Sequence, residues 1–277
     1  MKFERIIREL HGPQALLPSL HSTLAHTFAS DVSQLREPGI GICGEEIERK
    51  GLEINDDGHA FLPVAGVLAR NLSPMMRNGA TDYNEIRTEI REAIDAGART
   101  LTLEIDSGGG SISGLPETAA AIRAATIPTT AFVVGGAYSA AYWLASQCDR
   151  VVGTLSSGFG SIGVYIPPFW DYSQMLENEG VKIRFAYSGE HKAAGGFPEI
   201  SMTDAQFAEI QRSVEATHEQ FKEEVARARP YIDAQHMEAQ TYEGLEALRF
   251  GFVDLILNTP EDYNPQIRKN YGRHYFP

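Results

Sequence analysis

Ser139 stands where a strand-like run meets a helix-like one. Ala131-Phe132-Val133-Val134 reads as a short buried strand, Gly135-Gly136 as a turn, and Ala140 to Ser146 as a helix. Such a joint lifts a hydroxyl out of a sheet and sets it beside the unbonded N–H groups of a helix N-terminus. That is the geometry of a serine nucleophile, although a hydroxyl needs a neighbouring base before it attacks anything. The plain alternative is an ordinary small N-cap residue.

Three other stretches carry chemistry-capable residues. Asp106-Ser107-Gly108-Gly109-Gly110-Ser111 follows an alternating strand and reads as a Gly-rich turn whose N–H groups could face an anion without a Cβ in the way. It lacks the terminal Lys-Ser/Thr of a P-loop and the GxGxxG order of a dinucleotide site. Ser156 to Val164 is a second Gly/Ser stretch, expected to end in an apolar strand. Lys192 lies in Ser188 to Gly196, a loop of small residues at a strand end. An isolated lysine is ordinarily a solvated surface charge. The eight histidines show no ligand spacing, so no metal site is expected.

The positioning elements read as a parallel α/β pattern. Ala60 to Leu68 is a strand, with Pro63 near an edge or a strand start. Asp82 opens a helix with Glu85 at capping-box spacing, and Gly97 closes it. Leu101, Leu103 and Ile105 alternate as the next strand, a crossover into a parallel sheet. Gly114 to Ala125 is a helix and Arg150 to Thr154 a strand. Phe169 to Glu179 is expected as a helix and Val181 to Tyr187 as a strand. Thr203 to Arg229 is a long amphipathic helix capped by Thr203 and Gln206, with Phe207, Ile210, Val214, Phe221 and Val225 on one stripe. Thr241 to Phe252 is expected as a short helix and Val253 to Leu257 as a last strand. Residues 1–55 read as an N-terminal helical extension, with helical spacing over Arg5 to Leu10 and Pro18 to Val32. Residues 56–257 read as the main domain and 258–277 as a polar, aromatic-rich tail.

The 277 residues suffice for a full core. A net charge of −13 opposes nonspecific binding to nucleic acid and to anionic membranes. Cys43 and Cys148, without a CxxC, argue against zinc and against a disulfide framework. Residues 1–10 contain no uninterrupted apolar stretch of a secretory signal. A cytoplasmic setting, without membrane anchoring, is expected.

Asp106-Ser107-Gly108-Gly109-Gly110, Ala137-Tyr138-Ser139-Ala140-Ala141-Tyr142, Gly160-Ser161-Ile162-Gly163-Val164 and Ser188-Gly189-Glu190-His191-Lys192 occur in that order. Together they resemble peptidase family S49, the signal peptide peptidase A-like enzymes, and within it the phage and prophage head-maturation branch. The resemblance covers roughly residues 60 to 257. It implies an α/β ClpP/crotonase-like spiral of ββα units, oligomeric assembly, no cofactor, and a Ser–Lys dyad of Ser139 and Lys192. It further suggests Ser161 as the group that orients the lysine amine, and the backbone N–H groups of Gly109 and Ala140 as an oxyanion hole. Gly108 departs from the family pattern, which has proline there.

Ser139 Oγ would attack a peptide carbonyl, and the Lys192 amine would take its proton and return it to the leaving amine. The ammonium must then lose its proton near neutrality, so its pKa must fall from about 10.4 to roughly 7–8. Burial among Ala and Gly would do this, provided that Glu190 points away. Polypeptide substrates, with scaffold, portal and coat proteins first, follow from the resemblance. A cytoplasmic bacterial peptidase is the nearest alternative. A crotonase-type acyl-CoA enzyme would leave Ser139 and Lys192 idle. A triad would need a base such as His191 or His218. An inactive assembly module is the non-enzymatic reading.

Overall fold

The computed structural model describes residues 14–16, 51–73, 76–77, 79–192 and 194–265. Most of the expected N-terminal extension, including both of its helical stretches, and the end of the tail lie outside the described residues.

In chain order the elements are β1 (Gln14–Leu16), β2 (Glu53–Ile54), β3 (His59–Ala69), β4 (Ala80–Asp82), α1 (Tyr83–Asp95), β5 (Thr100–Ser111), α2 (Leu115–Arg123) and β6 (Thr129–Tyr138). There follow α3 (Ala140–Ser146), β7 (Arg150–Thr154), β8 (Gly158–Gly160), α4 (Ser173–Asn178), α5 (Asp204–Ala228), β9 (Thr241–Glu243), α6 (Gly244–Arg249) and β10 (Leu255–Leu257). The sheet runs β10-β7-β6-β5-β3-β2. Its inner pairs are parallel, and β2 joins antiparallel. Helices return the chain between the parallel strands, so the expected α/β class holds. No helix among the described residues is long and apolar enough to cross a membrane.

Local sequence accounts for the main boundaries. The Asp82 side chain accepts from the Asn84 N–H and starts α1, and Gly97 leaves it at φ 78°. Thr203 and Gln206 form a capping box at the start of α5. Pro63 falls between the β3 residues paired to β2 and those paired to β4. The inner faces of β3, β5 and β6 bury Leu62, Leu101, Leu103, Ile105, Ala131 and Val133 together with Tyr142 and Trp143 of α3. Trp143 stacks on Phe221 of α5, with ring centroids 4.6 Å apart.

The long strands bend at one level. The β3–β5 register shifts between Ala65 and Val67, and the β5–β6 register between Ile105 and Ser107. Across that second shift β6 carries two extra residues, since Ile105 pairs with Val133 and Ser107 with Ala137. Asp106 fills the bend, with Oδ1 accepting from the Gly136 N–H at 3.1 Å. A Cβ at Gly135 would lie 2.3 Å from that oxygen. Each strand therefore has a main portion in the core and a distal portion turned toward the site.

Several expectations are corrected. Gly108 to Gly110 do not form a turn; β5 runs extended through Ser111. The glycines serve close approach, because a Cβ at Gly110 would lie 1.8 Å from the Leu68 carbonyl oxygen. Val181 to Tyr187 is not a strand among the described elements. Its alternation is real, but Val181, Ile183, Phe185 and Tyr187 are all exposed and no ladder holds the segment. The helix expected over 169–179 is reduced to α4, and the region 241–252 begins with the strand β9 before α6. No strand follows Gly160 at Ile162 to Val164.

Candidate active site

The distal portions of β5, β6 and β8 carry three of the expected residues to one end of the sheet. Ser107 of β5 pairs with Ala137 of β6, and Gly109 and Ser139 each follow two residues later; β6 ends there, whereas β5 runs on to Ser111. Tyr138 pairs with Gly160 of β8, so Ser139 and Ser161 follow together. The Ser139 N–H donates to the Gly160 carbonyl at 2.8 Å, which ties the two serine loops directly. Both serines adopt a φ of 54°. A non-glycine residue in this region is strained, and such strain concentrates at functional turns.

Ser139 caps α3 with its backbone alone; its side chain makes no capping bond. The expected N-cap alternative is therefore not what the hydroxyl does. Oγ instead lies 3.4 Å from the Gly163 carbonyl, a long donor contact. The Ala140 N–H is the first of α3 and has no partner within the helix. The Gly109 N–H donates to Ser107 Oγ at 3.1 Å, and Ser107 Oγ donates to the Gly66 carbonyl at 2.6 Å. Gly109 has a φ of 103°, which explains glycine at that position.

Tyr138 braces the elbow from one side. A Cβ at Gly136 would lie 2.4 Å from its ring and one at Gly158 1.8 Å from its hydroxyl, so both glycines make room for it. Burial raises the Tyr138 phenol above its ordinary pKa, with the carboxylates of Glu243 and Asp106 adding to the effect. His218 of α5 braces the other side. Its Nε2 lies 2.9 Å from both the Ile162 and the Met237 carbonyls. Two acceptors fix that nitrogen as the N–H donor, so it is a strut for the loop after Ser161 and not a base aimed at Ser139. No local pattern signals this role, because contacts of α5 with residues 162 and 237 are set by tertiary packing.

Lys192 is not gathered in with the others. It lies in a turn, its N–H donating to the Gly189 carbonyl at 3.0 Å, and it is exposed. No hydrogen bond joins it to Ser139 or Ser161, and no ion pair joins it to Glu190, among the described residues. The burial expected of its amine is not found among the described residues. His191 is exposed in the same turn.

Beyond Ser161 the chain runs through an apolar cleft of about 530 Å³, lined by Tyr165, Pro168, Phe169, Phe197, Phe207 and Val214 among others. The α5 stripe is thus split. Phe221 and Val225 are buried in the core, whereas Phe207 is half exposed.

The model of peptidase family S49 matches residues 121–264. The chain is 33% identical over 211 residues to the head-tail preconnector protein GP5 of Enterobacteria phage P21, covering 74% of this chain and 42% of that protein. It is likewise 33% identical over 214 residues to capsid assembly protease C of Escherichia phage lambda, covering 74% of this chain and 48% of that one. The chain therefore spans less than half the length of these two relatives. Among solved structures, a ClpP1 variant from Listeria monocytogenes is similar with a TM-score of 0.47 and 11% identity, covering 74% of this chain and 94% of that one.

Proposed function

The chain belongs to peptidase family S49, and from that premise we propose that it is a serine endopeptidase with Ser139 as nucleophile and Lys192 as general base. The observation that carries this is the convergence of Gly109, Ser139 and Ser161 in the distal portions of β5, β6 and β8, two residues past the Ser107–Ala137 pair and one past the Tyr138–Gly160 pair. Ser139 Oγ attacks the substrate carbonyl, the Ala140 and Gly109 amides receive the oxyanion, and the amine of Lys192 carries the proton to the leaving nitrogen. Gly109 must release its bond to Ser107 to take part. Ser161 orients the amine.

The lysine reaches the site from a neighbouring copy in a homo-oligomer. In support, Lys192 is exposed, and the segment that carries it also exposes Phe169, Trp170, Phe185, Tyr187 and Phe197. Apolar exposure on this scale suits an interface, and its closure would desolvate the amine and lower its pKa. Substrates are polypeptides. The names of the two phage relatives support capsid-assembly proteins, scaffold, portal or coat, in the cytoplasm of a bacterial host.

Hydrolysis of an unfolded polypeptide by mixed variants tests the arrangement. Ser139→Ala and Lys192→Ala are each inactive, and mixing them restores activity because some sites receive Ser139 from one copy and Lys192 from another. Activity of Ser139→Ala alone contradicts the nucleophile. Inactive variants that stay inactive after co-refolding contradict the shared site.

A further inference from the structure

The distal end of β5 outruns β6. Pairing between them stops at Ser107 and Ala137, because β6 turns into α3 at Ser139. On its far side β5 remains paired through Gly110, with Val67 opposite Gly109 and Leu68 opposite Gly110. On the side that faces Ser139, Gly109 to Ser111 are left with an open ladder edge. That edge is taken by β1, antiparallel, with Leu16 opposite Gly109, Ala15 opposite Gly110 and Gln14 opposite Ser111.

We propose that residues 14–16 are a tethered stand-in for substrate, occupying the backbone-binding lane of this chain's own active site and yielding it to an extended peptide. This rests on the reading of Ser139 as nucleophile. A polypeptide presented to Ser139 needs its reacting carbonyl at the level of Gly109, where Leu16 stands. The residues N-terminal to that carbonyl then run past Gly110 and Ser111, as Ala15 and Gln14 do. Strand addition of this kind uses main-chain hydrogen bonds and accepts many sequences.

Two further observations agree. Ser139 is only 1% exposed in the folded chain, as expected of a site whose approach is filled. The strand is also brief. Pro13 precedes it and Pro18 follows two residues after its end, and proline cannot donate to a ladder. A three-residue pairing is weak by itself and persists through the high effective concentration of a tether. An occupant that covers the lane nine-tenths of the time weakens apparent substrate affinity about 10-fold.

The test measures binding, so it stands apart from catalysis. In the Ser139→Ala background, a fluorescent peptide with the sequence Pro-Gln-Ala-Leu-Leu-Pro is titrated against the otherwise unaltered chain. It is then titrated against the variant that also carries Gln14→Pro, Ala15→Pro and Leu16→Pro, which has no ladder donor at those positions. Roughly 10-fold tighter binding in the proline variant is expected. Equal affinity, or no binding to either protein, overturns the proposal. Hydrogen exchange without the proline changes gives a second reading. Saturating peptide should speed exchange at residues 14–16, and unchanged or slower exchange there overturns the proposal even where the variant does not fold. Failure of Ser139 as nucleophile would appear separately, as hydrolysis by Ser139→Ala.

Discussion

The Ser139 amide donates to the Gly160 carbonyl at 2.8 Å, which ties the Ser139 loop directly to the Ser161 loop. Each serine sits immediately after the end of its strand, and each adopts a φ of 54°.

Ser161→Gly separates the hydroxyl from the backbone. Glycine accepts a φ of 54° without strain, so thermal stability should hold or rise slightly. Loss of an orienting hydroxyl should lower kcat by roughly 10²-fold with little change in KM. Stopped-assay kinetics and a melting curve on one preparation check this. Unchanged kcat would remove Ser161 from the mechanism.

Gly110→Ala should be among the most damaging small changes. The new Cβ would meet the Leu68 carbonyl oxygen at 1.8 Å, and that neighbour is backbone in a paired strand. Overpacking costs on the order of 1–3 kcal/mol, and the displaced strand end carries Gly109. Urea unfolding should show the loss, with activity falling further than stability alone explains. A neutral Gly110→Ala would contradict the β3–β5 pairing described here.

His218 distinguishes a strut from a base. Glutamine can donate from its amide to the Ile162 and Met237 carbonyls that Nε2 faces, but it cannot relay a proton. His218→Gln should therefore keep most activity, and His218→Ala should lose stability by about 1 kcal/mol or more per unsatisfied carbonyl. Abolished activity in a folded His218→Gln would revive a histidine-based mechanism.

Alkaline stability should fall. Burial pushes the Cys148 thiol up to about 12 from an ordinary 9.0; nearby Arg229 opposes the shift and Asp149 adds to it. Between those values the unfolded chain loses the proton and the folded chain keeps it. The folded state binds more protons there, so stability declines as pH rises above about 9. Tyr142, also buried and also raised, acts in the same direction at higher pH. Melting temperatures from pH 8 to 10.5 should drop less steeply in Cys148→Ala than in the parent. Identical slopes would contradict the burial of this thiol.

The parts of the fold readable in sequence were those fixed by neighbours along the chain. Thr203 with Gln206 and Asp82 at its cap act within a few residues, whereas Gly135 and Gly136, expected as a turn, lie within β6 and make room for Asp106 and Tyr138. Harder to read were features decided across the sheet. Gly108 to Gly110 look like a turn, yet they lie in β5, where Gly110 packs against the Leu68 backbone and Gly109 takes a φ of 103°. Val181 to Tyr187 have a strand's alternation, yet a strand needs a partner, and none pairs with them among the described residues. The convergence of Gly109, Ser139 and Ser161 depends on two extra residues in β6 opposite Asp106, which no periodicity reveals. Lys192 was placed by its motif alone, and the structure leaves it exposed.

The nucleophile itself is most directly tested by mapping a fluorophosphonate adduct. Treated protein is digested and the modified peptide sequenced by mass spectrometry. One adduct on Ser139, absent from Ser139→Ala and strongly reduced in Lys192→Ala, is the predicted result. An adduct on another residue, or labelling that survives in Ser139→Ala, would contradict it.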